Sequence, residues 1–241
     1  MVITITVAIL IIPIIFGSWL GLRSIPTSWL ATSNAFSGAF LFAVTVFLWI
    51  PELGSIEPVK DLPWGIWIVL GYFLQFALDS RSKGLEHGHI HSQDPNPWPA
   101  YLGLIIHSVV EGIPLFRLDE GEMISFAISL AVHNLPISAL LTFWLLQCNI
   151  KKRKIILALF GFSLAAPAGA LASTLLLPSN IVGLEGFIGG LVVGIFLHVS
   201  STILFELQKD HRMPSKLWAI VILGLISGFL LSQGVHNNHI H

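Results

Sequence analysis

The chain has 241 residues, of which 54% are hydrophobic and only 10% are charged, and its formal net charge is −1. A soluble domain carries roughly a quarter charged residues, so we predict that most of this chain lies in lipid. The near-neutral net charge gives no electrostatic basis for nucleic-acid binding. The single cysteine, Cys148, excludes an internal disulfide and a multi-cysteine metal cluster.

Eight apolar segments approach the length of about 20 residues that a spanning helix needs. Segments this continuously apolar predict helices, because the strands of a membrane barrel are short and alternate in polarity. We therefore predict an all-α polytopic membrane protein with a single transmembrane domain over residues 1–241. The first segment has no basic region before it and no small-residue cleavage site, which predicts a retained helix and not a signal peptide. The predicted spans are residues 2–22, 34–51, 64–79, 99–117, 122–147, 154–177, 185–206 and 216–232.

The basic residues indicate an orientation. With the N-terminus outside, ten of the 12 lysine and arginine residues fall in inner loops, and only Lys60 and Arg117 fall in outer loops. This asymmetry follows the positive-inside rule and favours an even number of spans with both termini outside. We expect the protein in the plasma (inner) membrane.

Two histidine-rich stretches lie outside the predicted spans. Residues 80–98 are predicted to form a cytoplasmic loop, which contains "EHGHIH" with His87, His89 and His91. The chain ends in "HNNHIH". Imidazoles in either stretch could chelate a metal, and a flexible polar loop or tail is the alternative interpretation.

Polar side chains at membrane depth cost free energy, so each is a candidate for function. His107, His133 and His198 are the deep histidines, and Glu111 is the one acidic residue well inside an apolar run. His107 and Glu111 are four residues apart and share one helix face, with Ser108 beside them.

The next span carries "AVHNLPISA", in which His133 and Asn134 precede Pro136. A proline inside a helix frees a backbone carbonyl and bends the helix. The link between the two spans is short, so we predict antiparallel neighbours whose polar faces converge. Two imidazoles, a carboxylate and an amide oxygen suit Zn²⁺, Mn²⁺ or Fe²⁺ and lack the thiolates that favour Cu⁺. A dication would also offset the cost of burying the charge of Glu111.

Interpretations without a metal exist for each of these residues. His107 and Glu111 could form a hydrogen-bonded pair between helices. His133 could be a packing histidine, and Asn134 could satisfy the bent backbone. His198 is equally open to a structural and a functional role.

The two polar stretches resemble helices four and five of the ZIP family of divalent-metal transporters. The family carries His-x-x-x-Glu-Gly followed by His-Asn-x-Pro-Glu-Gly, and here these stretches are "HSVVEG" (107–112) and "HNLPIS" (133–138). Residues 36–52 and 189–207 are similar to the second and seventh helices of the family. A histidine-bearing inner loop between helices three and four also recurs in the family.

The resemblance implies a bundle of eight helices, in which helices 1–3 and 6–8 are related by inverted symmetry around helices 4–5 and work by alternating access. It implies that a divalent metal ion is the substrate and moves toward the cytoplasm, with zinc expected first and iron or manganese as alternatives. His107 and Glu111 match the family's helix-four ligands, and His133 and Asn134 match the start of its helix-five motif. Our candidate metal ligands are these four residues together with Ser108 and His198.

The chain departs from the family pattern where Ile137 and Ser138 stand in place of Glu and Gly. The family carboxylate helps to hold a second metal ion, and an isoleucine side chain has no ligand atom. We therefore expect one principal metal ion.

Two other functions use the same residues. An intramembrane zinc hydrolase would activate a water on the metal, but the sequence has no H-E-x-x-H stretch and no second deep carboxylate, so we expect no enzymatic activity. A membrane protein that binds and senses metal without moving it is the other alternative. The chain has no GxxxxGK[ST] phosphate-binding loop, which argues against ATP-driven pumping. The expected partners are metal ions and the lipid bilayer, no nucleic acid is expected, and a homodimer is left open.

Overall fold

The computed structural model describes residues 1–23, 26–55, 63–82, 96–177, 183–207 and 213–238, and every regular element within these ranges is helical. We number the helices α1 to α8 and treat the interrupted second helix as one element. They are α1 (Val2–Gly21), α2 (Thr27–Val44, continued by Thr45–Trp49 and Ile50–Ser55), α3 (Gly65–Ser82), α4 (Trp98–Gly112), α5 (Glu120–Gln147), α6 (Lys152–Leu176), α7 (Leu184–Glu206) and α8 (Ser215–Asn238). The predicted all-α class is confirmed.

The helices are apolar enough for a bilayer. Among the described residues, seven are long and apolar enough to cross a membrane, and α3 contributes a shorter apolar stretch, Gly65–Ser80. Each predicted span thus corresponds to a helix, but α2 begins at Thr27 and not at residue 34. The first turns of α2 carry several polar residues, so hydropathy alone does not mark them as part of a span.

The helices form two bundles of four. In the first bundle, α1 packs along α5 and α4 packs along α6; in the second, α3 packs along α7 and α2 packs along α8. The inverted relation exchanges α1 with α6, α2 with α7, α3 with α8, and α4 with α5. It therefore converts the pair α1–α5 into α6–α4 and the pair α2–α8 into α7–α3. The pattern of contacts therefore agrees with the inverted relation that the resemblance implies. The two bundles meet mainly where α2 lies on α5 and where α3 lies on α4.

Glycines let the paired helices approach backbone to backbone. A Cβ atom on Gly112 of α4 would overlap the carbonyl of Ala166 in α6, and a Cβ atom on Gly169 of α6 would overlap the carbonyl of Val109 in α4. The α3–α7 pair has the same reciprocal arrangement, with one glycine on α3 and two on α7. Close approach of this kind is how small residues drive association of membrane helices, and it ties the position of α4 to that of α6.

The link between α4 and α5 is held by polar contacts. The guanidinium of Arg117 donates hydrogen bonds of 2.6 Å to the carbonyls of Ser173 and Leu177 at the end of α6. Asp119 and Glu122 form a capping box at the start of α5. The side chain of each residue accepts a hydrogen bond from the backbone N–H of the other, which stabilises the first turn because these N–H groups have no partner within the helix. These contacts tie the link to the end of α6 and fix where α5 begins.

A proline accounts for the π-helical turn in α2. Pro51 has no N–H, and its ring would clash with the carbonyl of Phe47, four residues earlier. The chain widens over Thr45–Trp49, and the N–H of Ile50 donates to the carbonyl of Thr45. The widened turn directs Trp49 against Phe126 of α5, with ring centroids 5.0 Å apart.

Candidate metal centre

Three ionisable side chains from α4 and α5 meet in the interior of the protein. His107 and Glu111 lie one turn apart on α4, and His133 lies near the middle of α5. None of the three is more than 1% exposed. One potential ligand atom from each lies within 4.8 Å of the other two, so one small ion can contact all three side chains.

The geometry within this group is specific. Nε2 of His107 lies 3.1 Å from Oε1 of Glu111, and the imidazole rings of His107 and His133 are 6.2 Å apart between centroids. Pro136 lies inside α5 one turn after His133, and it cannot donate a hydrogen bond to the carbonyl of Val132. The carbonyl of Val132 therefore lacks the hydrogen bond that residue 136 would otherwise donate.

Ser108 and Asn134 are also buried beside the group, each with 1% of its surface exposed. Within the described part of the chain, neither the Ser108 hydroxyl nor the Asn134 amide has a hydrogen-bond partner. A buried polar group in this state costs about 1–3 kcal/mol. Both side chains would therefore be stabilised by an ion or a polar ligand bound next to these helices.

A residue that sequence reasoning missed completes the surroundings of His107. Gln75 of α3 is fully buried, and its Oε1 lies 2.8 Å from Nδ1 of His107. The only signal in the sequence is an isolated amide within the apolar stretch "GIWIVLGYFLQFALDS". That signal cannot be interpreted without knowing which helix faces α3.

His198 does not join the group of three. It is buried on α7, where its Nε2 lies 3.7 Å from Oδ2 of Asp79 and its ring packs edge-on against Tyr72. Asp79 lies one turn beyond Gln75 on α3 and is 21% exposed. His198 thus lies at a second polar position, within the bundle formed by α2, α3, α7 and α8.

The position of the family's second carboxylate is apolar. Ile137 is 2% exposed and packs in a cluster with Ile14, Leu104 and Leu141. Ile137 follows His133 by one helical turn and so lies on the same face of α5. Glu111 is therefore the sole carboxylate in the ligand group found among the described residues.

The other sequence candidates cannot be placed. His87, His89 and His91 lie outside the described residues, and so do the side chains of the terminal stretch 236–241.

Comparison with family models matches residues 79–233 to the model described as ZIP zinc transporter. The match covers more than half of the 241 residues and includes Asp79, all of α4 to α7 and most of α8. A comparison with curated proteins gave no significant match. Members of the ZIP family are membrane transporters of divalent metals, and this protein has both apolar helices of spanning length and a buried His/Glu group that could hold a metal ion. The chain belongs to the ZIP family of zinc transporters.

Proposed function

We propose that the protein carries divalent transition-metal ions toward the cytoplasm, with zinc as the principal substrate and iron or manganese as further substrates. The observation that carries this proposal is the buried group of His107, Glu111 and His133, whose ligand atoms lie within 4.8 Å of one another. Ligand atoms around a tetrahedral zinc ion lie roughly 3.3–3.5 Å apart. Small side-chain rotations would therefore close this group around an ion.

One principal ion is the occupancy that the surroundings support. Glu111 supplies a single negative charge, and Ile137 occupies the neighbouring position in an apolar cluster. Asn134 and Ser108 can add neutral oxygen ligands, which suit a borderline metal such as zinc.

The end of the protein that we predict to face outward offers a cation entrance. A cavity of about 300 Å³ is lined there by four carboxylates, those of Glu52, Asp119, Glu122 and Glu185, and by the guanidinium of Arg117. An excess of carboxylates in a recess raises the local concentration of cations. This distribution supports entry from the outer side.

Aromatic side chains separate this cavity from the ligand group. Phe126 contacts Trp49 and Phe196, with ring centroids 5.0 and 5.5 Å apart. Phe126 precedes His133 by two helical turns, or roughly 10 Å along α5. Trp49 and Phe196 belong to one bundle and Phe126 to the other, so a shift between the bundles would open the route, as alternating access requires.

Release toward the inner side would pass Asp79 and His198. Both lie on the bundle opposite the principal ligands, and Asp79 lies one turn closer than Gln75 to the predicted cytoplasmic loop. A carboxylate and an imidazole 3.7 Å apart offer a second pair of ligands on the way out.

Uptake into proteoliposomes that contain a zinc-sensitive dye tests the proposed function. We expect saturable zinc uptake by the purified protein. His107→Ala should lose at least about 10–100-fold in uptake, because that is the cost of removing only the outer-shell partner of a ligand. Ile106→Ala, at a 42% exposed position on the same helix, should transport like the parent. Zinc binding without flux would favour the sensor interpretation, and cleavage of lipid or peptide would favour the hydrolase.

We also propose that both termini face outward and that the protein lies in the plasma (inner) membrane, because ten of its 12 lysine and arginine residues then fall on the inner side. Cys148 lies directly after α5, next to the basic stretch that begins α6, and it is the only cysteine. An impermeant maleimide should therefore label inverted vesicles and leave intact cells unlabelled. Burial raises the pKa of the Cys148 thiol, so labelling should quicken as the pH rises. Labelling of intact cells would reverse the proposed orientation.

A further inference from the structure

We propose that Gln75 is a positioning residue for the metal site, which sets the ring orientation and the tautomer of His107 from the opposite helix bundle. This inference rests on the proposed function, since it concerns how one ligand of that site is prepared. Gln75 contacts His107 and is not itself needed as a ligand.

The first support is the contact itself. Gln75 is fully buried, and its Oε1 lies 2.8 Å from Nδ1 of His107. Its Nε2 has no hydrogen-bond acceptor in the described part of the chain. Burial of a half-satisfied amide costs free energy, and the bond to His107 is the contact that offsets this cost.

The second support is the tautomer that a metal ligand requires. Nε2 of His107 is the nitrogen that lies 3.1 Å from Glu111. To bind a metal, Nε2 must present its lone pair, so the ring proton must be on Nδ1. Histidine ligands almost always donate that other N–H to an acceptor outside the coordination shell. The amide oxygen of Gln75 is such an acceptor, whereas an amide turned the other way would donate to Nδ1 and force the proton onto Nε2.

The third support is where the contact lies. Gln75 is on α3, which packs with α7 in one bundle, and His107 is on α4, which packs with α6 in the other. A shift between the bundles would separate the amide from the imidazole. His107 would then lose its fixed tautomer, and the affinity for the metal would fall. Gln75 therefore couples the affinity of the site to the relative position of the bundles.

The test compares Gln75→Leu with Gln75→Glu in the full-length protein. Leucine fills a similar volume without an acceptor, and glutamate retains an acceptor oxygen. We expect Gln75→Leu to weaken zinc binding about 10–100-fold in competition with an indicator dye. Gln75→Glu should bind zinc at least as tightly as the parent, since a carboxylate also accepts the Nδ1 proton and adds a negative charge near the ion. Val69→Ala, at a 54% exposed position on the same helix, should bind like the parent.

Nitrogen NMR of isotope-labelled histidine separates positioning from packing. In the metal-free protein, the His107 signal, assigned by its absence in His107→Ala, should report a proton on Nδ1 in the parent and in Gln75→Glu. In Gln75→Leu, Nδ1 has no acceptor, and the proton should move to Nε2, which lies 3.1 Å from Glu111. Unchanged zinc affinity in Gln75→Leu, or equal weakening in both variants with one unchanged tautomer, overturns the role of Gln75. Failure of the parent protein to bind zinc, or full binding by His107→Ala, overturns the proposed function instead.

Discussion

Glu111→Gln should strongly weaken zinc binding and zinc flux while the protein remains folded. Glu111 is the only carboxylate in the ligand group found among the described residues, and its side chain is fully buried. Unit charges about 4 Å apart attract by about 4 kcal/mol at an effective dielectric constant near 20, and the attraction of a dication is larger. Loss of that term predicts a decrease in affinity of roughly 100-fold or more. Glutamine has nearly the same shape and is cheaper to bury than a charge, so the melting temperature should be unchanged or higher.

Asp79→Asn is the matched comparison, because it makes the same carboxylate-to-amide change at the second polar position. Asp79 pairs with His198 at 3.7 Å and is 21% exposed, so this variant should bind zinc in detergent like the parent. Its transport should be slower, because the release route loses its charge. Calorimetric binding and proteoliposome flux on both variants make the comparison. Equal binding by Glu111→Gln and the parent would show that the ligand site lies elsewhere.

Gly112→Ala should destabilise the protein although it adds only one methyl group. The added Cβ atom would overlap the carbonyl of Ala166, and a backbone carbonyl cannot move without its helix. Overpacking of this kind costs about 1–3 kcal/mol and sometimes more. Because α4 carries His107 and Glu111, moving it away from α6 also disturbs the ligand geometry. Lower thermal stability in detergent and weaker zinc binding are both expected.

Gly121→Ala is the control for that substitution. Gly121 lies in the first turn of α5, and a Cβ atom there would meet nothing within 4 Å. Alanine is favoured over glycine in a helix by up to about 1 kcal/mol, so this variant should be as stable as the parent or slightly more stable. Equal stability of the two variants would mean that α4 and α6 do not pack as closely as the structure shows.

The packing of α4 against α6 explains why the "HSVVEG" stretch ends in glycine. The sequence places Gly112 directly after Glu111, but nothing local indicates why the position must be small. The reason is the carbonyl of Ala166, which lies more than 50 residues away along the chain. The same limit applies to Ile137, whose apolar surroundings on α1 and α4 become visible only in the packed structure.

The sequence by itself determined the features that depend on local chemistry. Its composition and apolar runs predicted helices in lipid, because each spanning segment must satisfy its own backbone hydrogen bonds. The four-residue spacing placed His107 and Glu111 on one face of α4, because helical periodicity is a local property.

The tertiary structure decided everything that depends on which helices meet. It gave His107 its contact with Gln75 and placed His198 at a separate position with Asp79, whereas the meeting of His133 with His107 was already predicted from the short link between their helices. It also made the first turns of α2 helical although hydropathy does not mark them. These outcomes follow from close packing between helices far apart in the chain, where small residues and shape complementarity select the partners, and no local pattern of residues carries that information.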